Sequence, residues 1–164
     1  MSSYPQDVVL GPFRLEELIG KGGMAQVWRA RHIHQPVAVK VLSLDMERHA
    51  LSATALRREI RSVAGLNHPG IVRILDAGDI PFEAEHASGQ LFRTGSPYLV
   101  MELAHAGSLS SLDRQPLWPE VAQILLELLE ALAHAHARGF VHRDLKPANI
   151  LVHSDKDIRP GTKL

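Results

Sequence analysis

The sequence has 164 residues, with 18 Lys plus Arg balanced by 18 Asp plus Glu, and no cysteine. The balance excludes the one-sided basic field of a nucleic-acid binder, and the missing thiols exclude disulfides and thiolate zinc sites. A length suited to one domain and an apolar share of 45% leave room for a sizeable core.

Residues 1–11 read as a loose tail. Residues 13–20 read as a strand running into Gly20-Lys21-Gly22-Gly23, and Val27-Trp28-Arg29-Ala30 resumes the strand pattern. Residues 36–42 are a third strand, rich in β-branched side chains. Residues 52–65 read as a helix, with Leu56, Ile60 and Val63 on one face and Gly65 as its stop. His68-Pro69-Gly70 is a turn, residues 71–76 a fourth strand, and residues 78–96, which lack periodicity, an extended surface loop. Residues 98–103 make a fifth, buried strand.

The strongest helix signal covers residues 119–139, with Pro119 near its start and Gly139 at its end. Val121, Ile124, Leu125, Leu128, Leu129 and Leu132 follow helical spacing, and Leu126 widens the stripe until it needs cover on more than one side. Residues 124–132 are the most apolar stretch, but Glu127 and Glu130 interrupt it, and no run reaches the roughly 18 residues of a membrane-spanning helix. No signal peptide is expected in residues 1–6, and a cytoplasmic location is expected. The pairs His32/His34 and His134/His136 would point their rings to different sides of a helix, which suits surface or packing roles better than metal binding. A strand is expected from Asn149 through Val152, a hairpin loop over residues 153–161, and a return strand from Thr162 to Leu164.

Three motifs carry chemistry. Gly20-x-Gly22 is followed by strand-like residues, so a dinucleotide-binding turn, whose glycines open a helix, does not fit. The remaining readings are a plain glycine hairpin or a hairpin whose backbone amides fold over phosphates. In Val37-Ala38-Val39-Lys40, strand alternation puts Ala38 and Lys40 on one face, where the ammonium could reach phosphate oxygens. Glu59 on the following helix is the carboxylate available to pair with it; the bland reading is two solvated charges, which the apolar neighbours Val39 and Val41 disfavour for Lys40. The third motif is His142-Arg143-Asp144-Leu145-Lys146-Pro147-Ala148-Asn149.

That stretch meets every fixed position of H-R-D-L-x-x-x-N, and with the other two motifs in order the chain resembles the protein kinases over residues 13–164. Lys146-Pro147 is similar to the serine/threonine branch, and Gly22-Gly23-Met24 with Leu66-Asn67-His68-Pro69 to the eukaryotic-like kinases of bacteria. The resemblance implies an α+β, protein-kinase-like fold. It has a five-stranded N-lobe with an αC helix over residues 12–101, then a hinge and an incomplete helical C-lobe over residues 102–164 that closes in a β-hairpin.

It also implies ATP and Mg²⁺ as cofactors, a protein substrate whose identity the sequence does not name, and roles for single residues. Asp144 would be the catalytic base, Lys146 would neutralise the transferring phosphate, and Asn149 would give an oxygen to Mg²⁺. Lys40, held by Glu59, would bind the α and β phosphates, under the amides of Gly20, Lys21, Gly22 and Gly23. Val27 and Ala38 would roof the adenine, Leu151 would floor it, Met101 would guard the back of the pocket, and the main chain of Glu102 and Ala104 would bond the base edge. Ordinary core packing also accounts for Val27, Ala38, Met101 and Leu151, since a pocket lining is also core. His142 would pack, and Arg143 would contact a phosphorylated loop.

The sequence departs from the family at Ala25, which replaces a third glycine, and in the long 78–96 loop. It also stops before an Asp-Phe-Gly motif, the family's main Mg²⁺ carboxylate. The sequence alone therefore predicts a chain that phosphorylates poorly and folds poorly by itself. The alternative reading is an inactive kinase-like module that binds nucleotide or a partner; a small-molecule phosphotransferase is disfavoured by Lys146-Pro147.

Overall fold

A computed structural model describes residues 8–22, 25–42, 57, 60, 63, 65–153 and 161–164. Gly23 and Glu59, and most of the helix expected over residues 52–65, lie outside them; Arg57, Ile60 and Val63 are helical. The chain forms two compact units, one ending in Ile74–Leu103 and the other in Ala104–Leu164, with residues 63–73 belonging to the second. Among the described residues the architecture is α+β, with an antiparallel sheet and one main helix.

In the first unit, β1 (Val9–Leu10), β2 (Phe13–Lys21), β3 (Ala25–His32), β4 (Gln35–Leu42), β5 (Ile74–Asp79) and β6 (Pro97–Glu102) form a six-stranded sheet in the order β1-β2-β3-β4-β6-β5. All neighbours are antiparallel. Two details differ from expectation. The sheet has a sixth strand, because Val9–Leu10 leaves the tail to pair with the start of β2, burying Leu10. β5 lies three residues further on than the sequence pattern suggests. The apolar residues Ile71 and Val72 draw a strand assignment toward residues 71–76, but they serve the second unit.

Alternation gives the sheet two different faces. Trp28, Ala30, Val37, Val39, Val41, Tyr98 and Val100 are buried in a shared core. The segment expected to be a surface loop covers this face. It contains the helix α1 (Phe82–Ala87), and Ile80, Ala84 and Phe92 join the sheet's core. Phe92 meets Trp28 edge-to-face at 5.7 Å. Burial of Ile80 and of Phe92 contributes roughly 1.5–3 kcal/mol each. The segment also ties its own ends: Glu85 accepts from the Thr94 backbone at 2.9 Å and from its hydroxyl, and the Ser88 hydroxyl accepts from the Phe92 N–H at 3.2 Å. Its helix is too short for periodicity to reveal.

The second unit is built around α2 (Trp118–His136). Glu120 accepts the Leu117 N–H at 2.6 Å and pairs with Arg114; Arg114 and then the Leu117 amide hold its carboxyl down to about 2. At the other end Gly139 has φ +75°, and the Phe140 N–H returns to the Ala135 carbonyl at 3.0 Å, a Schellman closure that glycine enters without strain. The stripe divides. Leu128, Ala131 and Ala135 are buried, the two alanines against Leu66 and Ile71, whereas Leu125, Leu126 and Leu129 are exposed. Gly70 lets the 66–72 segment approach, since a Cβ there would lie 3.0 Å from the Ala131 Cβ. The same segment pairs with Leu164: the Val72 N–H donates to the Leu164 carbonyl at 2.8 Å, and the Leu164 N–H to the Gly70 carbonyl at 3.0 Å. β7 (Leu151–His153) and β8 (Gly161–Lys163) form a two-stranded hairpin.

The β3–β4 hairpin turns through Ile33 and His34, and Ile33 has φ +56° and is 72% exposed. A β-branched residue in the left-handed region is strained by about 1–2 kcal/mol and here gains no packing. Ile33→Asn is therefore expected to stabilise the protein by about 1 kcal/mol, seen as a higher denaturant midpoint; a midpoint that stays put or falls would show that the turn is relaxed with isoleucine.

Candidate active site

In the first unit, five of the expected site residues share the face of the sheet opposite the α1 segment, whereas Glu102 pairs with Val37 of the core face and Lys21 is one step out of phase with Gly20. The register puts Gly20 on β2 opposite Val27 on β3, Val27 opposite Lys40 on β4, and Lys40 opposite Leu99 on β6. One step along, Ala38 lies opposite Met101. Directly opposed residues in antiparallel strands point to the same side. Gly20, Val27, Ala38, Lys40 and Met101 therefore form one patch, as the alternation of Val37-Ala38-Val39-Lys40 requires. Ala38 is buried; Val27, Lys40 and Met101 are half-buried. Lys21 ends β2, and the Gly22 N–H closes the turn onto the Ala25 carbonyl at 2.8 Å. Glu102 is buried at the end of β6.

In the second unit, Asp144, Lys146 and Asn149 converge. Arg143 has φ +61°, and the Asp144 N–H returns to the His142 carbonyl at 2.8 Å, making a tight three-residue turn that presents the Asp144 carboxylate. Such a turn is costly and is held only where its surroundings fix it. Asn149 does this: its Nδ2 donates to the Asp144 carbonyl at 2.9 Å and to Asp144 Oδ2 at 2.8 Å. Lys146 Nζ lies 2.9 Å from the same carboxylate oxygen. Asn149 closes the 3-10 turn Pro147–Asn149 and does not begin a strand, as its neighbours suggest it should; β7 begins two residues later at Leu151. Leu151 pairs with Lys163 and bridges to Ser108. Ala104, at the start of this stretch of the second unit, is half-buried.

The electrostatics follow from this geometry. The Lys146 ammonium, and after it the Asn149 amide, holds the Asp144 carboxyl below its ordinary value of 3.8. The group is ionised throughout the neutral range, and it loses its charge only as pH falls through the lowered folded value. Both partners are more than half exposed, so the ion pair orients the carboxylate more than it stabilises the fold. Among the described residues no group of three or more His, Cys, Asp or Glu could hold a metal by itself. The side-chain oxygen of Asn149 still fits a hard cation that takes most of its ligands from phosphates.

The sequence alone does not single out one residue that matters to this unit. Glu127 accepts the Thr162 N–H at 2.7 Å and so fastens β8 to α2. The available signal is a carboxylate interrupting the most apolar stretch of the chain. Lys146→Met is expected to raise the Asp144 pKa toward the ordinary carboxylate value, read by NMR titration of its carboxyl carbon. An unchanged value would remove Lys146 as the cause.

The protein kinase domain family matches residues 13–161. The chain is 38% identical over 152 residues to serine/threonine-protein kinase PknB of Mycobacterium leprae, covering 90% of this chain and 23% of the relative. Against PknB of Mycobacterium tuberculosis the identity is 37%, with the same coverage. Against a probable serine/threonine-protein kinase of Streptomyces coelicolor it is 35%, over 87% of this chain and 20% of that protein. The chain thus spans less than a quarter of the length of these relatives. The strained turn at Arg143, the Asp144–Lys146–Asn149 cluster and these matches agree: the chain belongs to the protein kinase domain family and is homologous to bacterial serine/threonine kinases.

Proposed function

We propose that this chain carries part of the machinery for moving the γ-phosphate of ATP to a serine or threonine hydroxyl of a protein substrate. The observation that supports it most is the Asp144 carboxylate, ionised and fixed by Lys146 and Asn149 at the tip of a strained turn. Phosphoryl transfer asks little covalent chemistry of a protein and depends on positioning and on neutralising charge. Asp144 would accept a hydrogen bond from the substrate hydroxyl, align its oxygen with the γ-phosphorus and take its proton as the new O–P bond forms and the bond from that phosphorus to the bridging oxygen breaks, releasing ADP. Lys146, beside it, would neutralise charge on the phosphoryl oxygens.

The first unit would correspond to the kinase N-lobe and the second to part of the C-lobe. Lys40 would hold the α and β phosphates, with the amides of Gly20, Lys21, Gly22 and Gly23 near them. Glu59 would orient Lys40. Val27, Ala38, Met101 and Leu151 would contact the adenine, and the main chain of Glu102 and Ala104 would read its edge. Mg²⁺, when bound, supplies positive charge along the phosphates, and Asn149 would give it an amide oxygen.

Calorimetry with Mg-ATP on this chain and on Lys40→Ala tests the reading. A charge-assisted contact of about 1.5–3 kcal/mol corresponds to a loss of roughly tenfold or more in affinity for the variant. Equal affinity for both chains would sink the assignment of Lys40.

A further inference from the structure

Glu127 lies on α2 four residues before the buried Ala131, a place that the helix pattern reserves for an apolar side chain. A half-buried carboxylate is costly unless its oxygens are satisfied. Here they are. Oε2 accepts the Thr162 N–H at 2.7 Å, and Oε1 accepts from Gln123 Nε2 at 2.9 Å. Burial pushes the carboxyl up, but the donors outweigh it and the group titrates below 4.5.

The Thr162 N–H lies on the edge of β8 that β7 does not use. The next group along that edge, at Leu164, is paired with Gly70 and Val72. β8 is thus fastened on its outer side and carries β7 on its inner side, Thr162 opposite Val152 and Lys163 opposite Leu151. β7 is held from its other side too, by the Val152 N–H to the Gly107 carbonyl at 2.9 Å and the Leu109 N–H to the Ile150 carbonyl at 2.7 Å. It begins two residues after Asn149, whose amide clamps Asp144. A continuous path of hydrogen bonds and short backbone therefore joins Glu127 to the residue that fixes the carboxylate.

We propose that Glu127 is a positioning residue: by fastening β8 to α2 it sets, through β7, where Asn149 places its two hydrogen bonds on Asp144. Its link to catalysis rests on the role given to Asp144 above; the mechanical coupling does not.

Amide hydrogen exchange and Mg-ATP calorimetry on the 164-residue chain test it. In Glu127→Ala, the amides of Leu109, Asn149 and Val152 should exchange about tenfold faster while those of Ala131 and Ala135 in α2 keep their protection. Glu127→Gln, which retains one acceptor oxygen for Thr162, should recover most of the loss. Acceleration confined to residues 161–164, or spread evenly through α2, overturns the proposal. Should the alanine variant fail to fold, Glu127→Met, which keeps the bulk in this row of α2 but removes both acceptor oxygens, must speed exchange at the same three amides, or the proposal fails. In calorimetry, weaker Mg-ATP binding by the alanine variant with recovery in the glutamine variant supports the link through Asn149 to the nucleotide, and unchanged affinity overturns that link, the coupling itself being decided by exchange. If the unmodified chain bound no nucleotide, the functional reading would fall while the exchange pattern still decided the coupling.

Discussion

A regular strand turns successive side chains to opposite sides, and in the first unit the unbroken pairings of β3, β4 and β6 depend on that restriction. Trp28, Val39 and Val100 are committed to the buried face, so Val27, Lys40 and Leu99 must occupy the other. The burial of one face thereby sets the position of the lysine. The segment from Ile80 to Phe92 matters for this reason. It supplies the apolar cover on one side of the sheet, so that the other side can carry a charged residue beside half-buried apolar ones.

The second unit solves a different problem. A carboxylate at the tip of a strained turn has to be held by something stiffer than the turn. Asn149 grips both the backbone and the side chain of Asp144, and Asn149 itself leads into a hairpin tied to α2. The approach of the 66–72 segment to that helix rests on the missing side chain of Gly70. Charge and packing are interleaved here: Glu127 binds through its oxygens in the row where Ala131 and Ala135 bind through contact.

Most of the sheet is legible in the sequence because alternation and β-branched residues mark strands with period two. Lys40, Asp144, Lys146 and Asn149 are legible because their spacing is distinctive, and the structure places the last three in one cluster. What the sequence hides has physical reasons. The helix Phe82–Ala87 is too short to show a period, and its role is tertiary, since Ile80, Ala84 and Phe92 become core only once the sheet exists. The start of β5 is obscured because Ile71 and Val72 are as apolar as strand residues, although Ile71 packs in the core of the second unit and Val72 pairs with Leu164. Glu127 shows in the sequence only as an interruption because its partner is a backbone amide 35 residues away.

That separation also bears on the order in which the molecule assembles. The turn at Arg143 and the ties within the α1 segment join residues that are near neighbours in the chain, so they can form early and repeatedly. The contacts of β8 with α2, and of Leu164 with Gly70 and Val72, require long loops to close first. The hairpin that steadies Asn149 therefore docks late, and a folding chain gains a settled Asp144 only after residues 161–164 have found their places.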